Sequence, residues 1–113
     1  MKKYFIRPAD RQGSCYYEFH MGAWGMGNNH FWQEDSICIS DDDFVYTGFE
    51  EIVADVVEEY DPYDNTPVTN EQWELIVQKA EMIGGNVWVA VNEAKEWATQ
   101  NFQHHQVFTI LGM

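Results

Sequence analysis

The chain has very little positive charge. Only six of its 113 residues are Lys or Arg, whereas 19 are Asp or Glu, so the formal net charge at pH 7 is −13. Nucleic acids and anionic membranes are themselves negative and would repel such a chain. The composition therefore argues against direct binding to nucleic acid or membrane, and it favours a basic protein or a metal ion as the partner.

Long apolar runs, linkers and cysteine motifs are also missing. No apolar stretch approaches the roughly 18 residues that indicate a membrane-spanning helix. Cys15 and Cys38 are the only cysteines, and they match neither a CxxC motif nor zinc-ligand spacing. We expect both to be reduced, buried thiols in a cytoplasmic protein. No Pro-rich linker or repeat divides the chain, so we expect a single domain over residues 1–113.

Aromatic and apolar residues are abundant despite the charge. The chain is 45% hydrophobic and 16% aromatic, which a disordered acidic protein would not be. Residues 1–46 are rich in strand-forming residues. They predict three strands, Lys3–Arg7, Cys15–His20 and His30–Ser40, separated by turns and by a glycine-rich loop at Met21–Asn29. Phe44–Tyr46 is interpreted as an extension of the third strand beyond the Asp run.

Residues 47–103 predict three helices. Thr47 to Glu50 fits a capping box and precedes apolar residues at helical spacing, up to a stop at Asp61-Pro62. A second capping box, Thr69 to Gln72, opens a helix that Gly84-Gly85 ends. Asn86–Gln103 is predicted as a third helix, although "VWVAV" within it would also fit a strand.

A last strand is predicted at Val107–Leu111, within the final segment 106–111. The order is then β-β-β-α-α-α-β. Strands separated from helices along the chain indicate the α+β class, here an antiparallel sheet with three helices packed on one face. We expect the final strand to return to the N-terminal sheet.

The segment Ile39–Asp64 holds ten carboxylates and no Lys or Arg. On the first predicted helix Glu51, Asp55 and Glu59 share one row, and like charges at that spacing cost about 0.2–0.5 kcal/mol per pair. Glu58 and Glu59 are also predicted at the helix C-terminus, where anions are unfavourable. A helix selected for stability alone would not have this pattern, so we interpret it as a functional anionic surface.

Other kinds of site find little support. Asp41 to Asp43 and Asp61 to Asn65 lack the spacing of a calcium-binding loop, so no metal and no cofactor are expected. A Cys–His nucleophile or a Glu18–Glu34 acid–base pair would be conceivable, but no catalytic motif is present. Trp24, in the glycine-rich loop, could form a binding lip or could fold back over the sheet edge.

Several segments together resemble a known class of proteins. They are the acidic helix, "YDPYDNTPVTNEQWELIVQKAEMIGG", "EAKEWA" and the ending "FTILGM". This pattern, mainly over residues 49–113, is similar to immunity proteins of bacterial polymorphic-toxin and contact-dependent growth-inhibition systems. The resemblance implies a cytoplasmic bacterial protein that binds a cognate toxin. Such toxins are often basic nucleases, whose substrate groove is covered by acidic and aromatic residues.

The resulting hypothesis is an immunity protein, not an enzyme, that blocks a basic toxin domain, an RNase rather than a DNase. The alternatives are an acidic adaptor or nucleic-acid mimic that inhibits host DNA-binding proteins, and a small hydrolase that uses Cys38 or a Glu pair. The candidate partner-binding residues are acidic or aromatic: Asp41, Asp42, Asp43, Glu51, Asp55, Glu58, Glu59, Tyr63, Asp64 and Trp24.

Overall fold

The computed structural model describes residues 3–13, 15–25 and 30–112. Its strands are β1 (Phe5–Ile6), β2 (Tyr16–Met21), β3 (Ile37–Ser40), β4 (Asn65–Thr69) and β5 (Val107–Leu111). Its α-helices are α1 (Asp41–Tyr46), α2 (Phe49–Val56), α3 (Asn70–Ile83) and α4 (Gly85–His104), and a turn of 3-10 helix spans Pro8–Asp10. The predicted α+β class is confirmed.

The five strands form one antiparallel sheet in the order β1-β3-β2-β5-β4. Phe19 in β2 lies opposite Ile37 on one side and Ile110 on the other. The final strand, β5, therefore inserts between β2 and β4 and connects the N-terminal strands to the rest of the sheet. The prediction that it returns to the N-terminal sheet is confirmed.

The core lies between one face of the sheet and the helices. Alternate residues of β2 point to opposite faces, and Tyr17 and Phe19 point toward the helices. Phe19 is fully buried and stacks on Phe108 with ring centroids 5.4 Å apart, while Phe49 of α2 meets it edge-on at 5.8 Å. Such aromatic pairs add about 0.5–1.5 kcal/mol each beyond the area they bury, so they fix α2 against the sheet.

Two helices follow their sequence signals closely. At the start of α3 the Thr69 hydroxyl accepts a hydrogen bond from the Gln72 N–H at 3.2 Å, and the Gln72 side chain accepts one from the Thr69 N–H at 2.9 Å. The predicted capping box is therefore confirmed. Gly84, with a φ of +73°, ends α3 and begins α4, where residues 86–103 are helical as predicted.

The prediction of three helices is wrong, because residues 41–46 form α1 instead of a strand extension. Ser40 caps this helix by accepting a hydrogen bond from the Asp43 N–H at 3.2 Å. Asp41, Asp42 and Asp43 occupy its first turn, where the positive end of the helix dipole favours carboxylates. Phe44, read as a strand residue, is the fully buried residue of this helix.

The predicted capping box at Thr47 is wrong as well. Thr47 ends α1, and Gly48, with a φ of +89°, is the N-cap of α2. The Thr47 hydroxyl still accepts a hydrogen bond from the Phe49 N–H, but it donates to the Asp43 carbonyl in the preceding helix. Because α2 ends at Val56, the acidic row on it holds two residues rather than three.

The strand β4 was not predicted. Thr66 and Val68 alternate inward on it, and Pro67 between them is exposed. A proline is tolerated here because β4 lies at the edge of the sheet and, among the described strands, pairs with β5 alone. The predicted third strand, His30–Ser40, is shortened to Ile37–Ser40, and part of the loop predicted at Met21–Asn29 lies outside the described residues.

Candidate protein-binding surface

The short helix α2 divides into a buried and an exposed side. Phe49, Ile52 and Val53 point into the core, as the apolar periodicity predicts. Glu51 and Asp55, together with Ala54, are exposed on the opposite side. These three residues form a narrow strip, which we call the α2 ridge, and it carries two of the predicted partner-binding carboxylates one turn apart.

On one side of the α2 ridge runs a groove of about 830 Å³, which we call the α2–α3 groove. Ile52 and Val87 lie at its base, and both are buried. Its far wall is the end of α3, where Met82 and Ile83 have exposed fractions of 87% and 67%. Two large apolar side chains therefore face solvent directly beside the carboxylates of the ridge.

On the other side of the ridge lies a smaller groove of about 400 Å³. It is bounded by Val45 at the end of α1 and by Tyr60 and Pro62 in the segment after α2. The residues next to this groove in the chain, Tyr46 and Tyr63, are 72% and 80% exposed. The predicted anchor Tyr63 is thus a solvent-facing aromatic near the ridge.

Sequence reasoning missed the apolar residues of these grooves. Met82 and Ile83 stand directly before the Gly84-Gly85 helix stop, and Ile83 continues the heptad spacing of the buried Ile76. The pattern would place Ile83 in the core, yet the structure leaves it exposed. The sequence feature that could have indicated an exposed apolar surface is Met82, which lies off the apolar face of α3 and has no evident structural role there.

Asp55 does not remain unpaired. The Lys79 ammonium, from the middle of α3, lies 3.0 Å from its carboxylate across the α2–α3 groove. Both side chains are about half exposed, so solvent screens the pair and it is worth at most about 1 kcal/mol. Lys79 is the first basic residue after the acidic segment in sequence, and folding brings it back to that segment.

Glu50, a neighbour of the ridge, has a structural role. Its carboxylate accepts hydrogen bonds from the Tyr60 hydroxyl at 2.7 Å and the Tyr17 hydroxyl at 3.3 Å. Burial raises the pKa of Tyr17 to about 12, and burial together with the bond to Glu50 raises that of Tyr60 further. This network ties α2 and the following turn to β2, and it fixes one wall of the smaller groove.

The other predicted acids are distributed around the molecule. Asp42 is exposed and borders a separate small depression beside Cys15 and Tyr16. Glu58 and Glu59 are exposed in the turn after α2, so they follow the helix rather than occupying its last turn as predicted. The structure thus brings Glu51 and Asp55 together but does not place all the predicted acids on one helix face.

Asp64 lies in the turn that follows Pro62. Its side chain accepts a hydrogen bond from the Asn65 N–H at 2.7 Å, and its carbonyl accepts one from the Gly112 N–H at 3.1 Å. A Cβ on Gly112 would lie 2.5 Å from the Pro62 carbonyl, so only glycine permits this close approach. The C-terminal end of the chain therefore holds the Tyr63 turn in place beside the smaller groove.

Trp24 lies on the face of the sheet that is turned away from the helices. It is half-buried, packs edge-on against His20 with centroids 5.2 Å apart, and contacts the exposed Phe31 at 4.8 Å. Its backbone N–H donates to the Thr109 hydroxyl at 3.2 Å. The structure therefore favours the interpretation that Trp24 covers the sheet, and it separates Trp24 from the α2 ridge.

The same face of the sheet contains a fully buried carboxylate, Glu18. It accepts hydrogen bonds from the backbone N–H groups of Trp32 at 2.7 Å and Gln33 at 3.1 Å, and from the Ser36 hydroxyl at 2.6 Å. The Arg11 guanidinium lies over the Trp32 ring at 3.7 Å. Glu18 therefore anchors the end of the β2–β3 loop over the sheet.

The candidate catalytic residues are arranged differently from the sequence-based expectation. Glu34 is exposed whereas Glu18 is buried. Burial raises the pKa of the Cys38 thiol to about 12 and lowers that of His20, so both groups favour their neutral forms. Cys15 is exposed, which corrects the expectation that both thiols are buried.

The described part of the chain contains neither a metal-binding cluster nor a membrane-spanning helix. Within residues 3–13, 15–25 and 30–112, no group of three or more His, Cys, Asp or Glu side chains is arranged to hold a metal ion. In the same part of the chain, no helix has the length and apolar character needed to cross a membrane.

Comparison of the chain with protein-family models, with curated proteins and with solved structures finds no match. What bears on function is the surface of the chain itself, in which an acidic ridge stands between two apolar grooves.

Proposed function

We propose that this protein is an immunity protein that binds a cognate basic toxin domain in the bacterial cytoplasm and neutralises it. The toxin domain is a nuclease, with RNase favoured over DNase, and the immunity protein occludes its active site or substrate-binding groove. It makes no direct contact with nucleic acid or membrane and uses no cofactor. The observation that carries the proposal is the α2 ridge, where exposed carboxylates stand between two apolar grooves on a chain of charge −13.

The proposed mechanism follows from the two kinds of group on this surface. A nuclease binds its substrate with Lys and Arg side chains, because the phosphate backbone dominates nucleic-acid affinity. Exposed carboxylates such as Glu51 and Asp55 present to those cations the same negative charge as the phosphates of the substrate. The net charge would accelerate encounter with a basic domain, and apolar side chains such as Met82 and Tyr63 would hold the complex once formed.

A co-expression assay in bacteria tests the proposal. The C-terminal domain of the protein encoded immediately upstream of this gene is expressed from an inducible promoter, with and without this protein. We expect growth arrest and degraded cellular RNA in its absence, and normal growth with intact RNA in its presence. A purified complex of the two proteins should form and should weaken steeply with salt, because its charges are exposed.

Charge reversal provides a matched pair of variants. Glu51→Lys with Asp55→Lys should abolish protection while leaving the fold intact, since both residues are exposed. Glu74→Lys with Glu96→Lys changes the net charge equally at exposed positions away from the ridge and should leave protection unchanged. Full protection by the first variant, or none by the wild-type protein, would contradict the proposal. Binding to many unrelated basic proteins would instead favour an acidic adaptor.

A further inference from the structure

The α2–α3 groove combines features that a folded protein does not require for its own stability. Its base is formed by buried core residues, Ile52 and Val87, so a ligand in it would contact the core directly. Its wall exposes Met82 and Ile83 at the end of a helix that is already stopped by Gly84. Exposed apolar surface beside a concave site is typical of a docking groove, and methionine suits it because its side chain adapts to different partners.

The charges around this groove favour a basic occupant. Glu51 and Asp55 border one side, and Lys79 is the basic residue among those that line it. Because the Asp55–Lys79 pair is exposed to solvent, a cation from a partner can take the place of Lys79 at little cost. A second copy of this chain would bring a further charge of −13 against the same carboxylates, which disfavours self-association as the reason for the groove.

We propose that the α2–α3 groove binds an amphipathic helical segment of a basic protein. A large apolar side chain of that segment lies between Met82, Ile83 and the groove base, and a Lys or Arg beside it reaches Asp55. The groove volume of about 830 Å³ is within the roughly 300–1,000 Å³ that is typical of ligand pockets in proteins. The inference rests on the proposed function in one respect, the basic character of the partner, and it specifies how that partner is held.

A defined peptide tests this docking mode without the toxin. The probe is a Leu/Lys peptide of about four helical turns with Leu at helical spacing. The control peptide has the same composition, ordered so that no apolar face forms. In an NMR titration of the labelled protein, the amphipathic peptide should shift the amide signals of Ala54, Met82 and Ile83. The control peptide should bind at least about tenfold more weakly, because only the charge attraction remains.

Two matched substitutions localise the binding. Met82→Ser removes a groove side chain that is 87% exposed, so the fold should persist while peptide affinity falls about tenfold or more. Val45→Ser, at a residue 56% exposed in the smaller groove, should leave affinity unchanged. Unchanged binding to Met82→Ser, equal binding of both peptides, or shifts confined to another surface would overturn the inference.

The remaining outcomes separate this inference from the proposed function. If the groove signals shift with protein concentration alone, a second copy occupies the groove and the inference is wrong. If the peptide binds as expected but the co-expression assay shows no protection, the docking mode stands and the immunity function fails. If protection occurs and Met82→Ser still binds the peptide normally, the function stands and the toxin is held elsewhere.

Discussion

Replacing Glu18 with alanine should destabilise the protein by about 2–4 kcal/mol, more than any substitution on the acidic surface. The Glu18 carboxylate accepts three hydrogen bonds, from the Trp32 and Gln33 backbone N–H groups and from the Ser36 hydroxyl. Each bond to a charged group contributes about 1.5–3 kcal/mol. Two effects reduce the total, because the substitution also removes the cost of burying the charge, which is several kcal/mol, and because water can reach the partly exposed loop donors.

Urea unfolding followed by tryptophan fluorescence measures the loss, with Glu34→Ala as the control. Glu34 is exposed, so its substitution should change the free energy of unfolding by no more than about 0.5 kcal/mol. Glu18→Gln should give an intermediate loss of stability. The amide keeps one oxygen that accepts a hydrogen bond, but its NH2 group replaces the other oxygen and faces groups that themselves donate. A loss below about 1 kcal/mol for Glu18→Ala would refute the assignment of Glu18 as the loop anchor.

Three further predictions concern titration, thiol reactivity and the ion pair of the groove. Folding raises the pKa of Tyr17 from 10.0 to about 12 and that of Cys38 from 9.0 to about 12, and it also raises that of Tyr60. The folded state thus holds these protons more tightly, so their contribution to stability is fully present below about pH 8 and is lost progressively as the pH rises toward 12. The urea concentration at the midpoint of unfolding should decrease as the pH is raised from about 8 to about 11. A midpoint that stays constant over this range would argue against the burial of these groups. A thiol reagent should label Cys15 rapidly in the native protein and Cys38 only after urea unfolding; rapid labelling of both would contradict the structure. Lys79→Ala should cost less than about 1 kcal/mol of stability and should strengthen binding of the basic peptide, whereas weaker binding would show that the cation is needed in the groove.

Elements with strong local signals could be predicted from the sequence. The helix α3 begins with a side-chain cap at Thr69 and ends at Gly84, and both determinants lie within the segment itself. The strand β5 was predicted at Val107–Leu111, where the structure has it. In α4 the helical spacing of apolar residues extends over more residues than a strand normally contains. The segment "VWVAV" was therefore correctly predicted as helix and not as strand.

Elements whose state depends on distant contacts were predicted incorrectly. The residues Phe44 to Tyr46 have strand propensity, but the Ser40 cap and the burial of Phe44 against Tyr17 and Phe19 favour a helix. The strand β4 contains Pro67, which argues against a strand unless the segment is at a sheet edge. Its edge position follows only from the pairing with β5, which lies about 40 residues later in the chain.

The sequence by itself determined the charge of −13, the α+β class and the acidic character of the segment around α2. These properties depend on composition and local periodicity, so no tertiary contact was needed to find them. The tertiary structure alone decided which carboxylates are buried, which are paired and which remain exposed. Folding buries Glu18 under a loop, sets Asp55 against Lys79 and leaves Glu51 open on the ridge. It also placed two exposed apolar side chains of α3 beside those acids, because the packing of α2 on α3 brings together residues that are far apart in the chain.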